Sequence, residues 1–121
     1  MSRQKQALGR WGEQQAADYL AQRGYQILGR NLHGAYGEID LLARHQGTLV
    51  FIEVKTRTSA RFGLPEEAIT PAKQQHLIHS AEEYLQAHPE LAGDWRIDVV
   101  SILRQPGGAP QIQHFENAVQ G

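Results

Sequence analysis

Two charged, strand-like segments carry most of the structural information in this chain, Gly37-Glu38-Ile39-Asp40-Leu41 and Phe51-Ile52-Glu53-Val54-Lys55. Side chains alternate along a strand, so Glu38 and Asp40 share one face of the first segment. Glu53 and Lys55 likewise share one face of the second. Residues 49–52 are apolar at both parities, as in a strand buried on both faces. We therefore expect Asp40 and Glu53 to converge at the carboxyl ends of adjacent strands.

A buried charge without a partner costs at least several kcal/mol, so this cluster needs a compensating group. A divalent cation held by the carboxylates, with Lys55 directed at a phosphate oxygen, would supply one. A lone Glu-x-Lys pattern is also typical of an exposed cross-strand ion pair. Glu38 is ambiguous as well, because it shares the face of Asp40 but could simply pair with an arginine.

The chain has 121 residues, which we interpret as one domain, 1–121, with a core over about residues 4–117. It contains no cysteine, so disulfides and thiolate metal sites are excluded. No apolar stretch approaches the roughly 20 residues of a membrane span. The polar, basic first residues have no signal-peptide core, so the expected location is cytoplasmic.

The formal net charge of -1 hides an uneven distribution. Residues 1–61 carry nine Lys/Arg against five Asp/Glu, whereas residues 62–121 carry three against eight. The charged cluster lies in the basic half, and local sign matters more than total charge for an anionic partner such as DNA. The acidic half offers a surface on which a repair or replication protein could dock.

Hydrophobic periodicity and turn residues predict two helices and five strands. The helices cover residues 4–23 and 71–87, and the strands cover 25–31, 38–44, 48–56, 95–103 and 111–117. Thr70 and Pro71 are the residue types preferred at the N-cap and first position of a helix. Residues 32–37 and 57–65 have loop composition. The order α-β-β-β-α-β-β predicts an α/β fold with a mixed sheet flanked by helices, and the strands joined by the second helix should be parallel.

The helices add polar groups to the cluster. Glu13 lies on the apolar face of the first helix, where an acid is expensive without a partner. Gly9 and Gly12 are costly inside a helix, which indicates a close approach to the sheet. Gln74 faces inward at the start of the second helix, with Lys73 one step around. The residues expected to converge are Glu13, Asp40, Glu53, Lys55 and Gln74.

This combination resembles the restriction-endonuclease-like, or PD-(D/E)xK, nucleases, and within them the archaeal Holliday-junction resolvases. From Gly9-Arg10-Trp11-Gly12-Glu13 to Asp98-Val99-Val100-Ser101-Ile102, the chain resembles the YraN family of bacterial proteins. The resemblance implies the restriction-endonuclease-like fold and a metal-dependent phosphodiesterase site, but no particular substrate. One departure is Ile39, which stands before Asp40 where the superfamily name has a proline.

The resemblance also implies a role for each residue. Asp40 and Glu53 would bind Mg²⁺ or Mn²⁺ through hard oxygen ligands, with the carbonyl of Val54 as a third. Glu13 would bind the metal directly or through water. Lys55 would steady the attacking hydroxide or the transition-state oxygens. Gln74 would position water or phosphate.

Several residues are candidates for contact with nucleic acid, each with a simpler alternative. Arg57 and Arg61, in the predicted loop after Lys55, could contact phosphates or be solvated charges. Lys73 is a further candidate. Tyr36, with its neighbour His33, could stack on a base or be an ordinary loop residue.

Other polar and aromatic residues are interpreted as structural. Asp98 is expected to pair with Arg96 or cap a loop rather than bind metal. His76 and His79 lack the spacing of a helical zinc pair and are expected at the surface. Trp11 is expected in the core.

The leading hypothesis is a metal-dependent DNA endonuclease of recombination or repair that selects its substrate by structure. The alternative is a nucleic-acid-binding or adaptor protein that keeps the nuclease fold without significant activity. The resolvase resemblance also suggests a homodimer, since closed two-fold assemblies are the commonest oligomers. The apolar final segment could cover either the chain's own sheet or that of a partner. Its residues are Ile112, Phe115, Ala118 and Val119.

Overall fold

The computed structural model describes residues 3–58 and 69–120. Its helices and strands follow the predicted order α-β-β-β-α-β-β. They are α1 (Arg3–Gln22), β1 (Gln26–Gly34), β2 (Gly37–His45), β3 (Thr48–Arg57), α2 (Pro71–Ala87), β4 (Trp95–Leu103) and β5 (Gln111–Val119), with a short 3-10 turn at Pro89–Leu91. The expected restriction-endonuclease-like α/β architecture is confirmed.

The five strands form one sheet in the order β1-β2-β3-β4-β5. β3 and β4 are parallel, as predicted for strands joined through α2, and the other neighbouring pairs are antiparallel. β3 is therefore the central strand. This position explains why residues 49–52 are apolar at both parities.

The two helices cover opposite faces of the sheet. Val50 and Ile52 of β3 pack with Leu20 of α1 in what we call the α1-side core. Leu49 and Phe51 pack with α2 in the α2-side core. All four β3 side chains are buried, and each such burial contributes about 1.5–3 kcal/mol. Burial on both faces of β3 is confirmed.

α1 approaches β3 closely at one of the two predicted glycines. A Cβ at Gly12 would clash with the hydroxyl of Thr56, so only glycine fits there. A Cβ at Gly9 would meet no atom of the described residues within 4 Å, so Gly9 is not needed for this contact. Trp11 is half-buried and packs against the α1-side core.

The hairpin between β1 and β2 is longer than the sequence predicted. We expected a loop over residues 32–37, but β1 continues to Gly34, which pairs with Gly37 across a two-residue turn. The prediction was wrong because a contact from α2 stabilises the turn. Glu83 accepts a hydrogen bond from the Ala35 N–H at 3.0 Å and occupies the space that a Cβ at Gly34 would need. Local composition cannot reveal this contact.

The ends of β3 and α2 position the site. Arg57, assigned to a loop from the sequence, is the last residue of β3, and its carbonyl accepts from the Arg104 N–H at 2.8 Å. The N-cap of α2 is confirmed, because the Thr70 side chain accepts from the Lys73 N–H at 3.2 Å. Hydrogen bonds therefore fix both the last residue of β3 and the first turn of α2.

The apolar residues of β5 pack against the chain's own sheet. Val119 is buried in the α2-side core, and Phe115 packs against it half-buried. Ile112 packs against the α1-side core, whereas Ala118 is exposed.

Within the described chain, no helix is both long and apolar enough to cross a membrane.

Candidate functional site

The site lies where β2 and β3 separate. These strands pair from their connecting turn as far as Leu41 and Ile52. Beyond that pair, β2 continues beside β1 and β3 continues beside β4, so the sheet opens like a fork. Asp40 and Glu53 are the first residues past the last pair. We expected both at carboxyl strand ends, but Asp40 lies near the amino end of β2, because the two strands are antiparallel.

The alternation of β2 side chains between the two faces of the sheet is interrupted at Asp40. Ile39 and Leu42 pack in the α2-side core, whereas Leu41 packs in the α1-side core. In a regular strand Ile39 and Leu41 would share a face. Opposite this irregularity, Asn31 of β1 adopts a left-handed conformation with φ 52°. Such backbone conformations are uncommon outside glycine and cluster at functional sites.

The Asp40 carboxylate takes the place of a strand partner for β3. Its Oδ2 accepts a hydrogen bond from the Val54 N–H at 2.8 Å. The N–H and C=O of one strand residue lie on the same side of the strand. The Val54 carbonyl is therefore on the fork side as well, as its implied role of metal ligand requires.

Asp40 and Glu53 form a close carboxyl pair. Burial raises the pKa of Asp40 to about 8, assisted by the hydrogen bond to Glu53 and by the charge of Glu53. The Val54 N–H opposes this rise, and the charge of Glu13 adds to it. Two carboxylates this close cannot both ionise freely, so the pair retains a proton near neutral pH. A divalent cation would release that proton.

Glu53 is buried, with 3% of its surface exposed, and it contacts two lysines. Its Oε2 lies 3.5 Å from Nζ of Lys55 and 3.2 Å from Nζ of Lys73. Buried carboxylates are normally paired in this way. Sequence reasoning assigned Lys73 to nucleic acid and did not foresee its contact with Glu53.

Glu13 reaches the fork from α1 and meets Glu38. Carboxylate oxygens of Glu13, Glu38 and Asp40 all lie within 4.8 Å of one another. Burial raises the pKa of Glu13, a hydrogen bond from Asn31 opposes the rise, and the charge of Glu38 adds to it. Glu38 also lies 3.8 Å from Nδ1 of His33, and the ion pairs found among the described residues include none between Glu38 and an arginine. Three acids this close could hold a metal ion.

Asn31 is a site residue that the sequence did not reveal. With Nδ2 of its amide facing the acids, it donates to Glu38 and to both carboxylate oxygens of Glu13, at 3.1 and 3.2 Å. Asparagine is depleted in strands and tolerates the left-handed region. The presence of an asparagine in a predicted strand was the feature of the sequence that could have identified Asn31 as unusual.

The remaining candidate residues are Gln74 on α2, Tyr36 on the β1–β2 hairpin and Arg61. Gln74 is half-buried near the start of α2, and its amide donates to the Ile69 carbonyl at 3.2 Å. It lines a cavity of about 460 Å³ together with Val99 and Phe115. Tyr36 lies at the tip of the β1–β2 hairpin, 48% exposed, with its ring edge-on to His79 at 5.1 Å. Arg61 lies outside the described residues.

Asp98 has the structural role expected of it. It is fully buried and accepts hydrogen bonds from Arg96 Nε at 2.9 Å, His114 Nε2 at 2.8 Å and Asn117 N at 2.9 Å. Burial alone would raise its pKa, but the hydrogen bonds from His114, Arg96 and Asn117 outweigh it and lower the pKa. His76 and His79 are exposed, as predicted.

Comparison with known sequences identifies the family. The profile of the uncharacterised protein family UPF0102 matches residues 12–102. UPF0102 proteins of Syntrophomonas wolfei and Herpetosiphon aurantiacus are 50% and 45% identical to the chain, over 92% and 96% of its length and 96% of theirs. The UPF0102 protein of Roseiflexus castenholzii is 48% identical over 99% of this chain and 98% of its own. The resemblance to the YraN-like family is confirmed: the chain belongs to the uncharacterised protein family UPF0102.

Proposed function

We propose that this protein is a Mg²⁺- or Mn²⁺-dependent DNA endonuclease that hydrolyses phosphodiester bonds at the fork between β2 and β3. The observation that carries the proposal is the pair of Asp40 and Glu53, held beside the Val54 backbone with Lys55 adjacent. All the offered ligands are hard oxygens, the donor type that Mg²⁺ and Mn²⁺ prefer. The fold and the resemblance to PD-(D/E)xK nucleases support the same reaction.

The proposed ligands are Asp40, Glu53 and the Val54 carbonyl, with Glu13 binding directly or through a water. A bound ion would lower the pKa of the attacking water and offset charge on the scissile phosphate. Glu13 then holds the attacking water in place. The raised pKa of Glu13 makes its carboxylate a better proton acceptor than an ordinary glutamate.

Lys55 is proposed to stabilise the transition state. Its side chain is 31% exposed, so its ammonium can reach a phosphate that approaches from solvent. There it donates to a phosphoryl oxygen as negative charge develops. The water oxygen forms the new bond to phosphorus and gives its proton to the Glu13 carboxylate. The bond from phosphorus to the leaving deoxyribose oxygen breaks, and that oxygen takes a proton from solvent.

The substrate proposal follows from the resolvase resemblance. We propose branched or otherwise irregular DNA of recombination or repair, cut in the cytoplasm, with a homodimer supplying two sites. Arg57, Arg61, Lys73 and Tyr36 are the proposed DNA contacts, and the acidic half of the chain is the proposed docking surface for a repair or replication protein. Gln74 is proposed to position water or phosphate, since its bond to the Ile69 carbonyl uses only one of the two N–H groups of its amide.

The test is a cleavage panel with Mn²⁺ over junction, flap, duplex and single-stranded DNA. Wild-type protein should cut at least one substrate, and Asp40→Asn and Glu53→Gln should each abolish the cut. Glu90→Gln removes an exposed acid far from the fork and serves as the matched control. DNA binding without cleavage of any substrate would instead favour a binding or adaptor protein that keeps the nuclease fold.

A further inference from the structure

Lys73 contacts the buried acid of the fork more closely than Lys55 does. Its Nζ lies 3.2 Å from Glu53 Oε2, against 3.5 Å for Lys55. The two lysines come from different elements, one from the first turn of α2 and the other from β3. One carboxylate oxygen therefore has two ammonium partners, which reach it from two different elements.

A cationic side chain at the position of Lys73 is unfavourable for the stability of α2. Lys73 is the third residue of the helix, and its backbone is held by the Thr70 cap. The N-terminal end of a helix carries positive partial charge, so acids stabilise it and lysines destabilise it. The first turn of α2 contains no acid. Lys73 and the helix end thus add positive charge beside the fork, and together they favour an anion there.

The contact with Glu53 suits a site without a metal. When Glu53 gives its charge to a divalent cation, its attraction for the two ammonium groups falls. The side chain of Lys73 is 36% exposed, so its ammonium can turn to a phosphate entering from solvent. Both lysines would then be free to donate to phosphoryl oxygens from two sides.

We propose that Lys73 is a second catalytic lysine. It pairs with Glu53 in the metal-free protein and donates to the scissile phosphate once the cation is bound. The inference rests on the proposed function. Its ligand is a phosphodiester of nucleic acid, approached by Lys55 from the sheet and by Lys73 from α2.

Lysine-selective NMR tests the change of partner without any cleavage. The chain has three lysines, and Lys5, exposed near the start of α1, is an internal control. With ¹³C at Cε, Mg²⁺ should shift the signals of Lys55 and Lys73 and leave that of Lys5 unchanged. Thymidine monophosphate should then shift Lys73 further, but only with Mg²⁺ present. If Mg²⁺ shifts the Lys55 signal but not the Lys73 signal, the inference about Lys73 is overturned while the proposed metal site stands. If Mg²⁺ shifts no lysine signal, the proposed metal site is refuted, and this inference, which depends on it, is refuted as well.

Kinetics supply the second arm, on the substrate that wild-type protein cuts best. Lys73→Met should lower kcat by about 100- to 1,000-fold, as for loss of one preorganised transition-state donor, with little change in KM. Its Mn²⁺ affinity should stay equal or tighten, because a competitor for Glu53 is gone. Lys5→Met is the charge-matched control and should cleave normally. Wild-type kcat in Lys73→Met would refute the role. A misfolded methionine variant leaves the decision to the NMR titration of the wild-type protein.

Discussion

Two aspartates of the same sheet, the fully buried Asp98 and the half-buried Asp40, have opposite electrostatic surroundings. Asp98 of β4 has its carboxylate satisfied by Arg96, His114 and a backbone N–H, and its pKa is lowered. Asp40 of β2 has one backbone N–H and lies against other acids, and its pKa rises to about 8. Groups within the chain compensate the negative charge of Asp98. The negative charge of Asp40 would instead need a bound ligand, such as a metal cation, to compensate it. That difference separates a structural acid from a candidate metal ligand.

The largest expected effect of this comparison is on stability at Asp98. Asp98→Ala should lower the free energy of unfolding by about 3–5 kcal/mol, because it leaves the Arg96 charge without its buried partner. Urea unfolding at pH 7 measures the change. Asp94→Ala removes an exposed acid near the start of the same strand and should stay within about 0.5 kcal/mol of wild type. Equal losses in both variants would contradict a special role for Asp98.

The pH dependence of stability should have opposite signs at the two sites. The folded pKa of Asp40 is raised, so the folded state holds a proton that the unfolded state has lost. Stability should therefore fall as the pH rises from about 4 to about 8. Asp98, with its lowered pKa, stabilises the fold above its unfolded pKa, and that contribution is lost as acid titrates the folded group.

Asp40→Asn isolates this slope. The amide keeps an acceptor for the Val54 N–H and does not titrate, so the fall in stability between about pH 4 and pH 8 should largely disappear. Urea midpoints across this range, with wild type alongside, make the measurement. The same slope in both proteins would assign the titration to another group and remove the electrostatic argument for the fork.

Asn31 should have a smaller effect, of about 1–2 kcal/mol. Asn31→Ala loses the hydrogen bonds to Glu13 and Glu38 and puts a less tolerant residue at φ 52°. Thermal and urea unfolding measure the loss. Asn31→Gly relieves the backbone but not the lost amide, so the gap between the two variants separates conformation from hydrogen bonding. Wild-type stability in the alanine variant would mean that Asn31 does not organise the acids.

The smallest expected effect concerns DNA affinity. Each phosphate contact adds about 0.9 to the slope of log affinity against log salt on duplex DNA. Arg57→Ala should therefore reduce that slope by about one contact. Fluorescence anisotropy over a salt series measures it, with Arg23→Ala at the far end of α1 as a control. An unchanged slope would move the DNA surface away from the end of β3.

Local patterns predicted the fold because they agree with its tertiary contacts. The apolar run of residues 49–52 corresponds to a strand covered by helices on both faces. The Thr70-Pro71 pair corresponds to a capped helix start. Asp40, Glu53 and Glu13 were found because acids at inward-facing positions of a strand or helix are costly and stand out in a sequence.

The remaining features depend on contacts between distant segments. The change of face at Asp40 and the left-handed Asn31 arise between two strands, where no local pattern records them. Helical phase placed Gln74 inward, but it could not say whether Gln74 or Lys73 would reach Glu53. The long β1–β2 hairpin likewise depends on Glu83 of α2. Alternation identifies a face, whereas the reach of a side chain depends on the packed structure.

Calorimetric titration with Mn²⁺ at pH 7 tests most directly whether the fork is a metal site. Because the Asp40 and Glu53 pair holds a proton there, binding should release about one proton per ion, seen as a dependence of the heat on the buffer's ionisation enthalpy. Asp40→Ala should abolish binding, and the exposed-acid control Asp94→Ala should bind like wild type. Unchanged Mn²⁺ affinity in Asp40→Ala would contradict the account, since the fork could then not be the metal site.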